Sequence, residues 1–308
     1  PPSFKILEDL DKQGLAVRIE ACGRVCYKSE DKITHGSAEP FIKNIIRRAH
    51  NSVLEMAVLT LKVSFKNDGI ITPFLCRMPK FLFIDRLDNE LLVTGTVRAF
   101  REVIQANSDV DLVCAIAGFL KESHPLFYSD LEPEGGWKAI SGISVRKISL
   151  DEVNELAPQL LARHRYIGVL FTVNRAVTHE IVRHRPCSYL QESQRYCRYS
   201  EDKFGSQVTF IKPLFFEEGT EQYRLWKSAM EETEKIYFKL LETASPQAAR
   251  TVLPNSCKTE LVTYANLIQW VHMFKLRTSQ AAEPSMREVM VPLLEKFKTM
   301  FPSVFGSL

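Results

Sequence analysis

The sequence predicts an α+β fold: a single domain over residues 1–308 with a mixed, largely antiparallel sheet flanked by helices. Three observations lead there. The 308 residues are 45% hydrophobic and 25% charged, enough to bury a full core with an ordinary soluble surface. Segments with a period of two interleave with segments of helical period along the whole chain. No repeat, low-complexity linker or break in composition divides them.

Taken in order, Phe41, Ile42, Ile45, Ile46 and Ala49 form one helical stripe, with Pro40 suited to a first turn. Residues 58–65 alternate, Leu59, Leu61, Val63 and Phe65 on one face, as a half-buried strand does. Phe81–Ile84 and Leu91–Val93 read as two strands around the turn-prone Asp88-Asn89. Helices follow over about Val97–Gln105 and 111–121. Residues 124–142, with Pro125, Pro133, Gly135 and Gly136, read as a loop. Val169–Val173 is a buried strand, and Asn174 caps a helix that Pro186 ends. A strand at Val208–Ile211 precedes a long amphipathic helix carrying Tyr223, Trp226, Met230, Tyr237 and Leu240. Ser245-Pro246 opens a short helix. Glu260–Thr263 is a strand, and Asn266 caps a helix with Leu267, Trp270, Val271 and Phe274 inward. Pro284 opens the last helix.

No stretch approaches the roughly 18 uninterrupted apolar residues of a membrane span, and the first residues lack the apolar core of a secretory signal. The expectation is a soluble, cytoplasmic protein with no membrane partner. Its seven cysteines are an odd number without a Cys-x-x-Cys pair, which favours reduced thiols and no metal site. The net charge of +3 with no broad basic stripe argues against a nucleic-acid partner. Arg195-Tyr196-Cys197-Arg198-Tyr199 nonetheless interleaves cations with aromatics, as base stacking would need.

The densest polar cluster runs from Arg183 to Tyr196: Arg183-His184-Arg185-Pro186-Cys187-Ser188-Tyr189-Leu190-Gln191-Glu192-Ser193-Gln194-Arg195-Tyr196. Arginine forks bind anionic oxygens, serine adds a short donor, and Gln191 offers both donor and acceptor to a base or flavin edge. On charge alone, cations completing a helix dipole explain the segment equally well. Arg163-His164-Arg165 repeats the tripeptide without the following Ser, Gln and Arg, and receives no role.

The whole segment resembles the signature of flavin-dependent thymidylate synthases: Arg-His-Arg, two residues, Ser, four residues, Ser, one residue, Arg. Arg183, His184, Arg185, Ser188, Ser193 and Arg195 occupy those positions. Arg24–Tyr27, His50–Glu55, Phe171–Arg175, Ala249–Pro254 and Asn266–Trp270 running on to Arg277 resemble further family segments in the family's order. Two positions depart from it. Leu190 stands where many members carry Asn, and Met56 where His is frequent. Extra, family-variable material lies around residues 105–165.

The resemblance implies a homotetramer with shared active sites that methylates dUMP to dTMP. It implies FAD as cofactor, with NADPH and methylenetetrahydrofolate as co-substrates. Carried over by position, Arg183, His184, Arg185, Gln191, Asn266 and His272 line the FAD site. Ser52, with His50 nearby, reaches the flavin from another subunit. Glu180, Arg183, Gln191, Ser193, Arg195 and Arg250 hold dUMP, the last arginines and Ser193 near its phosphate. Arg277 also binds dUMP and polarises its uracil, with no covalent nucleophile on the enzyme. Plainer roles stay open: His50 or Asn266 as helix caps, His272 as a packed histidine, Cys187 and Cys197 as small thiols. A flavoprotein of the same fold that has lost methyl transfer is a further alternative, raised by Leu190.

Overall fold

A computed structural model describes residues 1–77, 79–132, 140–200 and 205–308. Among the described residues, helices alternate with eight strands in two four-stranded sheets, and every strand pairing is antiparallel. The α+β expectation is met, with the strands divided between two sheets.

The first sheet has the order β1 (Ser3–Ile6), β6 (Tyr166–Asn174), β8 (Lys258–Asn266), β7 (Ser188–Gln191). Its centre is the β6–β8 pair, in register from Tyr166↔Asn266 to Asn174↔Lys258. The second has the order β3 (Leu82–Leu87), β4 (Glu90–Thr96), β2 (Val58–Phe65), β5 (Ile143–Lys147). The β3–β4 hairpin turns at Asp88, whose φ of 51° is the left-handed geometry that Asp tolerates in tight turns.

The caps named from sequence form. Asn174 accepts from Val177 N, Asn266 from Gln269 N and Ser245 from Ala248 N, opening helices Arg175–Ile181, Leu267–Arg277 and Pro246–Ala249. Helices Ala38–Arg47, Val97–Ala106, Asp111–Ser123, Glu221–Leu241 and Pro284–Met300 also lie where periodicity places them. Three local expectations change. Val208–Ile211 forms only a single bridge, Phe210↔Cys257, because β7 takes the sheet edge beside β8. The helix after Asn174 ends at Ile181, several residues before Pro186. Within 124–142, Pro125–Tyr128 is helical and buries Phe127 and Tyr128, while 133–139 lie outside the described residues.

One apolar core lies under the first sheet, and a second is shared by the second sheet and Tyr166, Leu190, Val262 and Tyr264 of the first. Under β6 and β8, Trp270, Phe274, Phe297 and Phe305 are fully buried against one another. Around the second sheet, Leu59, Leu61, Val63 and Val93 pack with Phe100, Leu112 and Ile116. Arg163-His164-Arg165 joins the two layers. Arg163 Nε and His164 Nε2 reach the same Asp85 oxygen on β3, at 2.6 and 2.9 Å. His164 Nδ1 meets Thr94 Oγ1 on β4 at 2.7 Å. Arg165 and Arg18 share the Asp11 carboxylate at 2.6 and 2.5 Å. The tripeptide thus serves as a polar clamp between the sheets, and its two guanidinium groups and both His164 ring nitrogens are spent on structure. No helix among the described residues is long and apolar enough to cross a membrane.

Candidate functional site

The helix Arg175–Ile181 and the strand β7 bring most of the signature together. Tyr189 Oη donates to the carbonyls of Ile181 and His184 at 2.9 and 3.1 Å, holding the 181–189 turn closed. That turn leaves Arg183 and Arg185 exposed and His184 buried. Arg183 spends only Nε, on His179 O. The Arg185 guanidinium makes no hydrogen bond or ion pair to the described residues.

Behind the turn, Arg277 at the end of its helix donates Nε to His184 Nε2 at 2.9 Å. Its Nη1 reaches Glu180 Oε2 at 2.5 Å and its Nη2 reaches Glu180 O at 3.2 Å. The His272 ring lies edge-on to His184, centroids 5.6 Å apart. Because Arg277 can only donate, His184 Nε2 is an acceptor and the ring proton sits on Nδ1. Burial, then the charge of Arg277 and the neighbouring His272, push His184 from 6.5 to about 4.

This shift has a sign. Unfolded His184 takes up its proton near 6.5 and the folded residue only near about 4. Between those values the unfolded state binds more protons, so the stability from this residue is complete above the upper value and is lost as pH falls toward the lower. Thermal unfolding scanned downward from pH 7 is expected to show a falling Tm across that window. His184→Gln should flatten the slope, and an unchanged slope would remove His184 as its source.

A second cationic group follows β7 in the chain. Ser193 N donates to Cys26 O, and Ser193 Oγ accepts from Arg195 N. Arg195 Nε donates to Gln247 Oε1 at 3.1 Å, leaving both Nη groups uncommitted. Gln247 sits on the Pro246–Ala249 helix that delivers Arg250, whose guanidinium has no partner among the described residues. Arg175 Nη1 is buried without a partner. Between the two groups, Gln191 donates Nε2 to Thr178 and Thr259 hydroxyls at 2.9 and 3.3 Å, and no bond involves its Oε1. Glu192 anchors the strand end by accepting from Tyr199 Oη at 2.7 Å and Lys258 Nζ at 3.1 Å. Tyr199 is therefore buried and unavailable to stack on a base, which removes half of the cation–aromatic pattern read in 195–199.

The structure gathers Glu180, His184, His272 and Arg277 in one group; Ser193 and Arg195 form a second, with Arg250 at the end of the helix that carries Gln247. His50 joins the second group within the same chain: its Nδ1 meets Tyr27 Oη at 3.1 Å, and the Tyr27 and Tyr196 rings are 5.8 Å apart. Ser52 is exposed. Asn266 stands apart, at the far end of the Leu267–Arg277 helix from Arg277. Its Oδ1 caps that helix and its Nδ2 donates to Arg163 O. Sequence reasoning overlooked Arg175, Thr178, Tyr189 and Gln247. Of these only Arg175 carried a signal, as a cation following a capping Asn.

Residues 10–66 and 148–303 match the family model described as thymidylate synthase complementing protein, which is well over half of the chain. The chain belongs to this family. Its relatives include the flavin-dependent thymidylate synthase of Pyrococcus abyssi, 36% identical over 169 residues, a match covering 52% of this chain and 68% of the relative. That of Pyrococcus furiosus is 34% identical over 169 residues with the same coverage. That of Corynebacterium efficiens is 33% identical over 150 residues, 44% of this chain and 58% of the relative. The family match leaves residues 67–147 uncovered, and β3, β4 and β5 all fall there. Three strands of the second sheet are thus built by material outside the match, and only β2 comes from within it.

Proposed function

We propose that the chain is a flavin-dependent thymidylate synthase that converts dUMP to dTMP with methylenetetrahydrofolate as one-carbon donor. The observation that carries this is the set of cationic donors without a hydrogen-bond partner among the described residues: Arg175 Nη1, the Nη groups of Arg183 and Arg195, and the Arg185 and Arg250 guanidinia. Such donors suit a dinucleotide and a nucleotide phosphate lying side by side.

Ser193, Arg195 and Arg250 hold the dUMP phosphate, and Arg183, Glu180 and Gln191 the rest of the nucleotide. Arg277 faces the uracil. It is fixed by His184 and Glu180, so its charge is already in place when electron density builds on the pyrimidine. The donor set fits FAD: exposed Arg183, Arg185 and His272, with His184, Gln191, His50 and Ser52, would hold it. Asn266 would contribute only by fixing the start of the helix that carries His272 and Arg277. FAD, when bound, supplies the hydride drawn from NADPH. No enzyme thiol attacks the uracil in this reading: burial pushes Cys187 up to about 11 and Cys257 up to about 12, so both are protonated near neutrality. All seven cysteines are free, which suits a cytoplasmic enzyme. The reading includes one domain over residues 1–308, with the extra material expected around 105–165 taken instead as the unmatched 67–147, and a homotetramer with shared sites.

The test is dTMP formation by the purified chain from dUMP, methylenetetrahydrofolate and NADPH, with and without added FAD. Turnover that requires FAD is expected. NADPH oxidation without dTMP would overturn the methyl-transfer reading. Arg195→Ala is expected to weaken dUMP binding at least tenfold, since a charge-assisted contact contributes ~1.5–3 kcal/mol. Calorimetric titration with dUMP checks it, and unchanged affinity takes Arg195 out of the phosphate site.

A further inference from the structure

A cleft of about 1340 Å³ opens between the two sheets, and none of its lining residues belongs to the signature. One wall comes from residues outside the family match: His124 and Lys147, with Phe127 beside them. His124 Nε2 is buried without a hydrogen-bond partner. The Lys147 ammonium makes no ion pair, and its charge acts on His124. The opposite wall is the start of the Leu15–Tyr27 helix, which has neither a side-chain cap nor an acidic residue in its first turn. One turn in, Arg18 is 4% exposed and stacks its guanidinium on the Tyr264 ring at 4.2 Å, and its Nη2 has no hydrogen-bond partner among the described residues. The open helix start and these three cationic or donor groups line one space, and unmet buried donors cost free energy that a bound anion recovers. Asp11 offers no competing charge, because Arg18 and Arg165 both hold its carboxylate. Glu8 and Asp151 also line the cleft but are exposed. Tyr166 and Tyr264 also line it but are buried against each other, and the half-buried Phe301 ring supplies its aromatic surface.

We infer that this cleft is a second small-molecule site, which takes an aromatic ring bearing a phosphate or carboxylate. The anionic group lies between Lys147, His124 and the helix start, and the ring packs against Phe301. The site depends on the 67–147 material, since that supplies two of its three donor side chains.

The probe is 8-anilinonaphthalene-1-sulfonate, an aromatic anion, titrated by fluorescence into the folded chain. Saturable binding at one site is expected, weakened about tenfold or more by Lys147→Gln and by His124→Asn, the scale of one lost charge-assisted contact. Displacement by phenyl phosphate or by benzoate supports the site and says which anion it prefers. Wild-type affinity in both variants overturns the inference. So does a dye signal lost in Arg195→Ala but kept in Lys147→Gln, which would place the dye at the signature arginines. dUMP affinity measured on the same samples separates this from failure of the synthase reading.

Discussion

Arg277→Ala is expected to lower dTMP formation roughly 100- to 1,000-fold, the scale seen when one fixed electrostatic contact to a transition state is removed. The expectation rests on how thoroughly the structure fixes this side chain. Three of its donors are spent on His184 and on the Glu180 carboxylate and carbonyl, so the guanidinium is held in place. Its side chain is 19% exposed, so the charge is only partly screened. Removal also leaves Glu180 without its ion pair and relieves one cause of the low His184 pKa. Two effects of opposite character follow: turnover falls, and the pH dependence of stability becomes shallower. Single-turnover kinetics with dUMP and methylenetetrahydrofolate measure the first. Full turnover in the variant would end the proposal that Arg277 polarises the uracil. Arg277→Lys separates charge from geometry, because an ammonium cannot reproduce the fork that reaches His184 and Glu180 together. Only partial recovery is expected from it.

Trp270→Ala is expected to destabilise the fold by about 3–5 kcal/mol, the range for emptying a large aromatic site in a packed core. Trp270 is fully buried, with the Phe274, Phe297 and Phe171 rings at 5.6, 5.1 and 6.4 Å. Its indole Nε1 donates to Ile167 O at 3.1 Å, an interaction the alanine also forfeits. The cluster seats the helix that ends in Arg277, so loss of packing and loss of activity are linked through that helix. Chemical denaturation gives the stability change. A loss below about 1 kcal/mol, the scale of an ordinary surface change, would show that this core repacks freely.

The departures at Leu190 and Met56 have a common physical account. Both side chains belong to one buried apolar cluster, at 4% and 0% exposure. The strand and the turn that carry them pack together. Alternation along β7 turns Leu190 toward this core, while Tyr189 and Gln191 lie on the other face, bonding Ile181 O and Thr178. Ser188, the signature serine two residues earlier, is buried on the same face as Leu190, so the departure adds an apolar neighbour there and leaves the face of Tyr189 and Gln191 unchanged. This weakens the reason for suspecting a lapsed enzyme.

What the sequence by itself determined was local. Asn174, Ser245 and Asn266 cap where they were read because a capping bond closes within three residues, and β2 and the β3–β4 hairpin follow from alternation and a turn. The spacing of Arg183, Ser193 and Arg195 likewise marked the candidate site. What only the tertiary structure decided was long-range. Ser188–Gln191 has the composition of a loop and becomes a strand because β8, some seventy positions later, offers its edge in the register Ser188↔Tyr264. Arg163-His164-Arg165 and Arg183-His184-Arg185 are the same three residues. One is held as a clamp by Asp85, Thr94 and Asp11, and the other is presented by a turn that Tyr189 holds closed. The fate of an arginine depends on which carboxylates the fold brings within reach, and those lie far away in the chain.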